Sequence, residues 1–309
     1  MNSSMDRIRE VVEKKRRYAV FPMVCADHCA SLLGLKFQEV AVDGEKLAAV
    51  LEYGLKKYNY DMLLVFSDPY IEAQALGCPV KLDPFPTLTG SRTDHTIDRT
   101  PEIIKALKIL KEKVDVPIFV SVKGPFSLAA FLAGIKEFLK MTLKNKSETR
   151  KLIEEALDFQ KRYLNKLLCL EANIFIGDPV ASGSVISPEI FSEFAYGPLK
   201  ELVKEIKNKR LLAALHICGD TKPIIEQLDT LGLDILSLED ITIKTKTLKM
   251  GGVATNTILY GLPADIHQEI TEALQEPYLI LSTACDVPVE TAPEQIETMI
   301  NYSHELCNN

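Results

Sequence analysis

Two side chains that commonly bind metal ions stand two residues apart in segment 211–220, LLAALHICGD. An apolar run typical of a buried strand ends there in His216-Ile217-Cys218-Gly219. Alternate side chains of a strand point to the same face, so the imidazole of His216 and the thiol of Cys218 are expected side by side. Such a pair suits a soft divalent metal, and zinc is the first choice.

Two further candidate ligands follow later apolar runs, Glu239 and Cys285. His216, Cys218 and Cys285 would make three firm ligands, and Glu239 a fourth that can be displaced. Three firm ligands with one exchangeable position indicate a catalytic rather than a structural zinc site. The alternative is a hydrogen-bonded histidine with two ordinary buried thiols, because free cysteine packs as a small hydrophobe. Spacing along the chain does not decide between them.

A second group of possible ligands lies at residues 25–29, where Cys25, Asp27, His28 and Cys29 follow an apolar run. The four side chains are too crowded for all of them to bind one ion from a helical turn. Packing at the start of a helix is therefore the expected role, and metal binding is the alternative.

The elements that must position these residues alternate regularly along the chain. Apolar runs with strand character are followed by segments of helical periodicity, and a short helix is expected at 245–250 before the seventh run. The eight predicted strands cover residues 18–24, 61–68, 117–122, 173–178, 211–220, 234–239, 252–255 and 278–284.

Eight βα units in 309 residues predict a (β/α)8 TIM barrel with parallel strands. The alternative is an open doubly wound sheet, but no Gly-x-Gly-x-x-Gly fingerprint follows any of the runs. One domain is predicted over residues 1–309, with an N-terminal helical extension at 1–17. Segment 81–99, rich in Pro, Thr and Asp, is predicted to be a lid-like loop over the mouth.

The composition indicates a soluble globular protein with a large core, because 47% of the residues are hydrophobic and 26% are charged. A net charge of −7 argues against general binding to nucleic acid or to an anionic membrane. No signal peptide is evident, and no apolar run reaches the roughly 18 residues of a membrane span. With seven scattered cysteines, a cytoplasmic protein with reduced thiols is expected.

Functional residues of a (β/α)8 barrel lie at the carboxyl ends of its strands. Polar residues occur at most of the predicted ends: Asp68, Lys123, Asp178, His216, Cys218, Glu239, Asn256, Cys285 and Asp286. Asp and Asn at such positions are also common caps and turn formers, so Asp178, Asn256 and Asp286 each have that structural alternative.

Four motifs resemble the uroporphyrinogen decarboxylase superfamily. They are Phe66-Ser67-Asp68 with Glu72-Ala73-Gln74-Ala75-Leu76-Gly77-Cys78-Pro79, Gly124-Pro125-Phe126-Ser127-Leu128-Ala129, Ile186-Ser187-Pro188-Glu189-Ile190-Phe191 and His216-Ile217-Cys218-Gly219-Asp220-Thr221. The resemblance runs from about residue 61 to the end of the chain.

Two branches of this superfamily differ in chemistry. Decarboxylases carry an arginine-rich segment after the first strand, where this chain has Met23-Val24-Cys25-Ala26-Asp27-His28, and a Gly-His-Gly where it has Ala284-Cys285-Asp286. The chain is instead similar to the methylcorrinoid:coenzyme M methyltransferases, which carry His-x-Cys on strand five and a Cys before Asp-x-Pro at strand eight. That similarity implies Zn²⁺ held by His216, Cys218 and Cys285, with Glu239 as the exchangeable ligand.

The resemblance also implies an activity and partners. A methylated corrinoid on a carrier protein would be the methyl donor, and a small thiol such as coenzyme M, activated by the zinc, would be the acceptor. Lys123, or residues of segment 81–99, would hold an anionic tail such as a sulfonate, and Asp68 would orient the substrate or a zinc ligand. Three alternatives stay open: a tetrapyrrole decarboxylase, a homocysteine-type thiol methyltransferase, and a non-catalytic corrinoid- or metal-binding barrel.

Overall fold

A computed structural model of the chain describes residues 4–307. Its centre is an eight-stranded parallel sheet that curls into a barrel, with helices packed around the outside. This confirms the (β/α)8 barrel predicted from the alternation of apolar and helical segments. The open doubly wound sheet, which was the alternative, is wrong.

The strands are short and largely buried, as expected for parallel strands covered on both faces. They are β1 (Tyr18–Val20), β2 (Leu63–Val65), β3 (Ile118–Lys123), β4 (Asn173–Gly177), β5 (Ala213–His216), β6 (Ile235–Ser237), β7 (Leu248–Val253) and β8 (Leu279–Thr283). The pairing order is β1-β8-β7-β6-β5-β4-β3-β2. The register sets His216 level with Gly177 on one side and with Ser237 on the other.

Helices connect most of the strands and cover the barrel. The α-helices are Ser4–Val12, Ala26–Leu32, Phe37–Val40, Gly44–Tyr58, Ile71–Ala75, Thr100–Lys113, Pro125–Ala133, Ile135–Lys144, Lys146–Leu168, Pro188–Ile190, Tyr196–Asn208, Ile225–Leu228, Thr255–Tyr260, Pro263–Ala273 and Pro293–Cys307. A π-helix covers Phe191–Ala195, and 3₁₀ turns cover Pro179–Ala181 and Lys222–Ile224. None of the helices between residues 4 and 307 combines the length and apolar character that a membrane span needs.

Strands β1 and β2 are not paired in a ladder, and one residue, Asp61, joins them through its backbone and its carboxylate. Asp61 donates its backbone N–H to the carbonyl of Val20 at 2.8 Å, and its Oδ2 accepts the N–H of Val20 at 2.8 Å. Arg7, on the N-terminal helix, donates to Oδ1 of the same carboxylate at 2.5 Å. Asp61 thus takes the place of a pairing between β1 and β2, and it also links the N-terminal helix to the barrel.

The crossover from β6 to β7 differs from the prediction. A helix was expected at 245–250, but Leu248–Val253 is a strand, and residues 238–247, all of them described, contain no helix. Asp229 accepts hydrogen bonds from the backbone N–H groups of Lys246 and Thr247, so these donors need no helical partner. The pair Gly251-Gly252 hides the strand in the sequence, because glycine is depleted in strands.

Two predicted appendages have simple structures. The N-terminal helix Ser4–Val12 buries Ile8 and Val11 completely. Segment 81–99 forms a short antiparallel ribbon, Val80–Lys81 with Thr87–Leu88, and is held by a hydrogen bond from Thr93 N to the carbonyl of Gly77. The role of this segment as a lid stays a prediction.

Candidate metal centre

His216 ends β5 and is 6% exposed. Its Nδ1 lies 3.0 Å from the hydroxyl oxygen of Ser237, which ends β6 and is fully buried. This contact leaves Nε2 as the ring nitrogen that faces the mouth of the barrel. There it lies 3.3 Å from the sulfur of Cys218 and 3.5 Å from the sulfur of Cys285.

Cys218 and Glu239 are brought to this histidine by a sharp turn. Gly219 has a φ of +75°, and an added Cβ would stand 2.7 Å from the hydroxyl of Ser184, so glycine is required here. The N–H of Gly219 donates to Oε1 of Glu239 at 2.7 Å. The carboxylate of Glu239 is otherwise exposed to solvent.

The four predicted ligands therefore meet at one point. One ligand atom each from His216, Cys218, Glu239 and Cys285 lies within 4.8 Å of every other. Zinc bonds of about 2.0–2.3 Å in a tetrahedron place ligand atoms roughly 3.5 Å apart. The nitrogen–sulfur distances of 3.3 and 3.5 Å fit that spacing. One imidazole, two thiols and an exposed carboxylate are also a donor set that zinc favours.

The site is electrostatically coupled. Burial lowers the pKa of His216, but hydrogen bonding to Cys285 and the nearby Asp286 and Glu239 carboxylates outweigh it, and the pKa is raised. The pKa of Cys218 is lowered, mainly by a hydrogen bond from the thiol of Cys285. The pKa of Cys285 is raised in return by that hydrogen bond and by burial. Cys218 is thus the thiol that loses its proton first.

Lys123 ends β3 and is 5% exposed. Its backbone N–H donates to the carboxylate of Glu72 at 2.7 Å, and its ammonium lies 5.8 Å from the ring centre of Phe66. The positive charge of Lys123 lowers the pKa of Cys218 and opposes the raised pKa of Asp286. Lys123 therefore lies close enough to the metal-ligand cluster to act on its charges, two strands along the barrel from His216.

Asp68 lies elsewhere and is already paired. Its two carboxylate oxygens accept hydrogen bonds from the guanidinium of Arg99 at 2.5 and 3.1 Å, and both side chains are buried. Arg99 also donates to Gln74 at 2.6 Å. The structure thus places Asp68 in a pair that anchors the end of segment 81–99, apart from the four ligands. Its catalytic role stays a prediction.

The residues at 25–29 do not gather as ligands. His28 is fully buried, with Nε2 2.9 Å from the hydroxyl of Tyr58, and Cys29 is buried in the core. Cys25 donates its thiol to the carbonyl of Met23. Over residues 4–307 the four-residue cluster around His216 is the single group of three or more such side chains that could hold a metal ion. Packing, the expected role, agrees with this placement.

Sequence reasoning missed the hydroxyls that support the ligands. Ser237 contacts His216, and Thr283, the last residue of β8, donates to the carbonyl of Cys285 at 2.7 Å. Each hydroxyl residue lies within the last three residues of a predicted strand, close to a candidate ligand, which is the signal that could have found it. Serine and threonine are too common at strand ends for that signal to stand alone.

Comparisons with known proteins agree with this architecture. The family model described as uroporphyrinogen decarboxylase (URO-D) matches residues 14–306. Methylcobamide:CoM methyltransferase MtaA of Methanosarcina barkeri is 26% identical over 303 residues, covering 87% of this chain and 86% of the relative. Methylcobamide:CoM methyltransferase MtbA of Methanosarcina mazei is 27% identical over 293 residues, covering 86% of each. A solved structure, a methyltransferase from Methanosarcina mazei, matches with a TM-score of 0.88 over 99% of both chains, at 23% identity.

Proposed function

The chain belongs to the uroporphyrinogen decarboxylase family, and from that premise we propose that it is a zinc-dependent methyltransferase. It transfers a methyl group from a methylated corrinoid, bound to a carrier protein, to a small thiol such as coenzyme M. Family membership alone leaves the decarboxylase and the methyltransferase branches open. The choice between them rests on the site.

The observation that carries the proposal is the convergence of His216, Cys218, Cys285 and Glu239 within 4.8 Å. Two thiols beside one imidazole are metal ligands that removal of a carboxylate does not require. Residues 23–28 also contain no arginine that could hold a polycarboxylate. The two relatives of similar length, both named methylcobamide:CoM methyltransferases, support the same branch.

Each ligand has a distinct part in this reaction. His216, held through Nδ1, presents Nε2 to the metal, and Cys218 and Cys285 supply thiolates. Bound zinc would lower the pKa of a substrate thiol from its usual value of about 8.5, so that the thiol reacts as thiolate at neutral pH. Glu239 is exposed and held by one backbone N–H, which makes it the ligand that yields most readily to the substrate.

Lys123 and Asp68 have supporting parts in the proposal. The ammonium of Lys123 carries a positive charge near Cys218, and in the proposal it attracts the anionic end of the acceptor. Asp68, neutralised by Arg99, keeps the end of β2 and the start of helix Thr100–Lys113 together. Its proposed part is still to orient the substrate or a zinc ligand, and the pair with Arg99 fixes its carboxylate in place.

The test combines metal content and activity. We expect about one zinc per wild-type chain by mass spectrometry and less than a tenth of that in Cys218→Ala and in Cys285→Ala, because each loses a thiolate. With methylcobalamin as a soluble donor, demethylation that depends on added coenzyme M should fall by at least 100-fold in both variants. Homocysteine in place of coenzyme M tests the alternative acceptor.

Cys169→Ala is the matched control, since Cys169 is an exposed free thiol outside the ligand cluster. It should keep full zinc and full activity. Stoichiometric zinc that persists in both Cys218→Ala and Cys285→Ala would refute the site.

A further inference from the structure

Cys285 is a proposed ligand that no strand pairing holds directly. It lies 69 residues after His216, in the connection that follows β8, and its side chain is only partly buried. The β8 ladder ends at Thr283, so no strand pairing holds Cys285 itself. Something outside the sheet must keep its sulfur 3.5 Å from His216.

One buried hydroxyl supplies that support. Oγ1 of Thr283 accepts a hydrogen bond from the N–H of Met23 at 3.0 Å and donates to the carbonyl of Cys285 at 2.7 Å. On the other side of Cys285, the N–H of Val287 donates to the carbonyl of Met23 at 2.9 Å. Segment 283–287 is therefore fastened at both ends to one residue of the chain that follows β1.

Three of the four residues of this arrangement are shielded from water, and Cys285 is the partly exposed one. Thr283 is fully buried, and Met23 and Val287 are each 1% exposed. A buried N–H or C=O that loses its partner is costly, and the N–H of Met23, in a residue that is 1% exposed, is out of reach of water that could replace the hydroxyl. Without the hydroxyl, the peptide of Cys285 and the N–H of Met23 both lose a partner, and the segment relaxes by moving.

We propose that Thr283 is a positioning residue for the metal site, which holds the thiol of Cys285 in the place where it binds the ion. Groups that orient metal ligands typically change metal affinity by about 10–100-fold when removed. This inference rests on the proposed function, because it assumes that Cys285 is a ligand. It adds that the first and last strands must be joined for the site to be complete.

The test removes the hydroxyl while keeping the shape. Thr283→Val is nearly isosteric but neither donates nor accepts, and Thr283→Ser keeps the hydroxyl. Zinc affinity is measured by competition with a chelator, and the Co²⁺-loaded proteins are compared by the intensity of the thiolate-to-cobalt absorption. We expect Thr283→Val to bind zinc about 10–100-fold more weakly, with reduced absorption per cobalt, and Thr283→Ser to stay within about threefold of wild type in affinity.

Several outcomes would overturn the inference. Wild-type zinc affinity and cobalt absorption in Thr283→Val would do so, and so would equal losses in Thr283→Val and Thr283→Ser. Circular dichroism of the metal-free proteins checks that each variant folds, and Thr283→Ala replaces Thr283→Val should the latter not fold. A wild-type protein that binds no zinc would instead refute the proposed function, which keeps the two failures distinct.

Discussion

A histidine that binds a metal through one ring nitrogen needs its other nitrogen fixed, because that contact sets both the tautomer and the ring orientation. In this chain the contact is made by Ser237, level with His216 on the neighbouring strand. With Nε2 free for the metal, Nδ1 carries the proton and donates it to the hydroxyl oxygen. In the proposed site the serine would therefore act on the metal without touching it.

Replacing Ser237 with alanine should weaken zinc binding about tenfold, because His216 loses its orienting partner. The fold should be retained, and chelator competition measures the affinity. Ser282→Ala is the matched control, since Ser282 is equally buried but its hydroxyl has no hydrogen-bond partner. Equal affinities in Ser237→Ala and Ser282→Ala would contradict this account.

For single residues, the residue types allowed the four-residue cluster to be predicted, but not the hydroxyls of Ser237 and Thr283 that hold its members. His216 and Cys218 share a strand end, and Cys285 and Glu239 follow other strand ends, so the barrel fold already directs all four to one mouth. The partner of Asp68 could not be predicted, because Arg99 lies in an irregular segment whose path no periodicity reveals.

Among the elements, helix Pro125–Ala133 depends on a carboxylate from another strand. Asp178, at the end of β4, is fully buried, and its Oδ1 accepts the N–H of Ser127 at 2.8 Å in the first turn of the helix. Burial raises its pKa from the ordinary 3.8 to about 6, against the hydrogen bonds from Ser127 and the charge of Lys123.

This shift predicts a pH dependence of stability. The folded pKa lies above the unfolded one, so the contribution is present below about pH 4 and is lost as the pH rises through 6. The free energy of unfolding that Asp178 contributes, and that is lost with rising pH, is of the order of 3 kcal/mol, at about 1.36 kcal/mol per pKa unit. In urea unfolding with a chelator present, wild type should lose that much more stability than Asp178→Asn between pH 4 and 7. If the free energy of unfolding changed with pH in the same way in wild type and Asp178→Asn, the raised pKa of Asp178 would be contradicted, because all other carboxylates are common to both proteins.

Element boundaries show where periodicity misleads. Seven strands were placed within a few residues, since each presents an apolar run. Strand β7 was placed four residues late, because Gly251 and Gly252 conceal it and Thr245 to Thr247 look like a helix start. The hydrogen bonds of Asp229 that replace a helix there are tertiary and leave no pattern in the sequence.

For the whole molecule, the seam between β1 and β2 is the point at which the barrel closes. Asp61 stands in for a strand pair by using both its backbone and its side chain. The alternation of βα units predicted the closed barrel. It did not predict that Asp61 joins β1 to β2, because the alignment of these two strands is set only in the folded state.

Asp61→Ala should lower the free energy of unfolding by roughly 1–3 kcal/mol, because the buried N–H of Val20 loses its acceptor. Asp61→Asn should cost less, since its amide oxygen can still accept that hydrogen bond. Urea denaturation measures both, with the exposed Asp115→Ala expected within about 0.5 kcal/mol of wild type. A loss in Asp61→Ala no larger than in Asp115→Ala would show that the seam closes without the carboxylate.

The link between β6 and β7, residues 238–247, affects how the proposed site can exchange its ligands in each catalytic cycle. Within residues 4–307 it is the one link between successive barrel strands that contains no helix, and Glu239 is its second residue. In the proposed reaction this carboxylate must swing aside for each incoming thiol and return after each product leaves. Because this link contains no helix, Glu239 can move without displacing a helix of its own link, while the hydrogen bonds of Asp229 hold the far end of the loop in place.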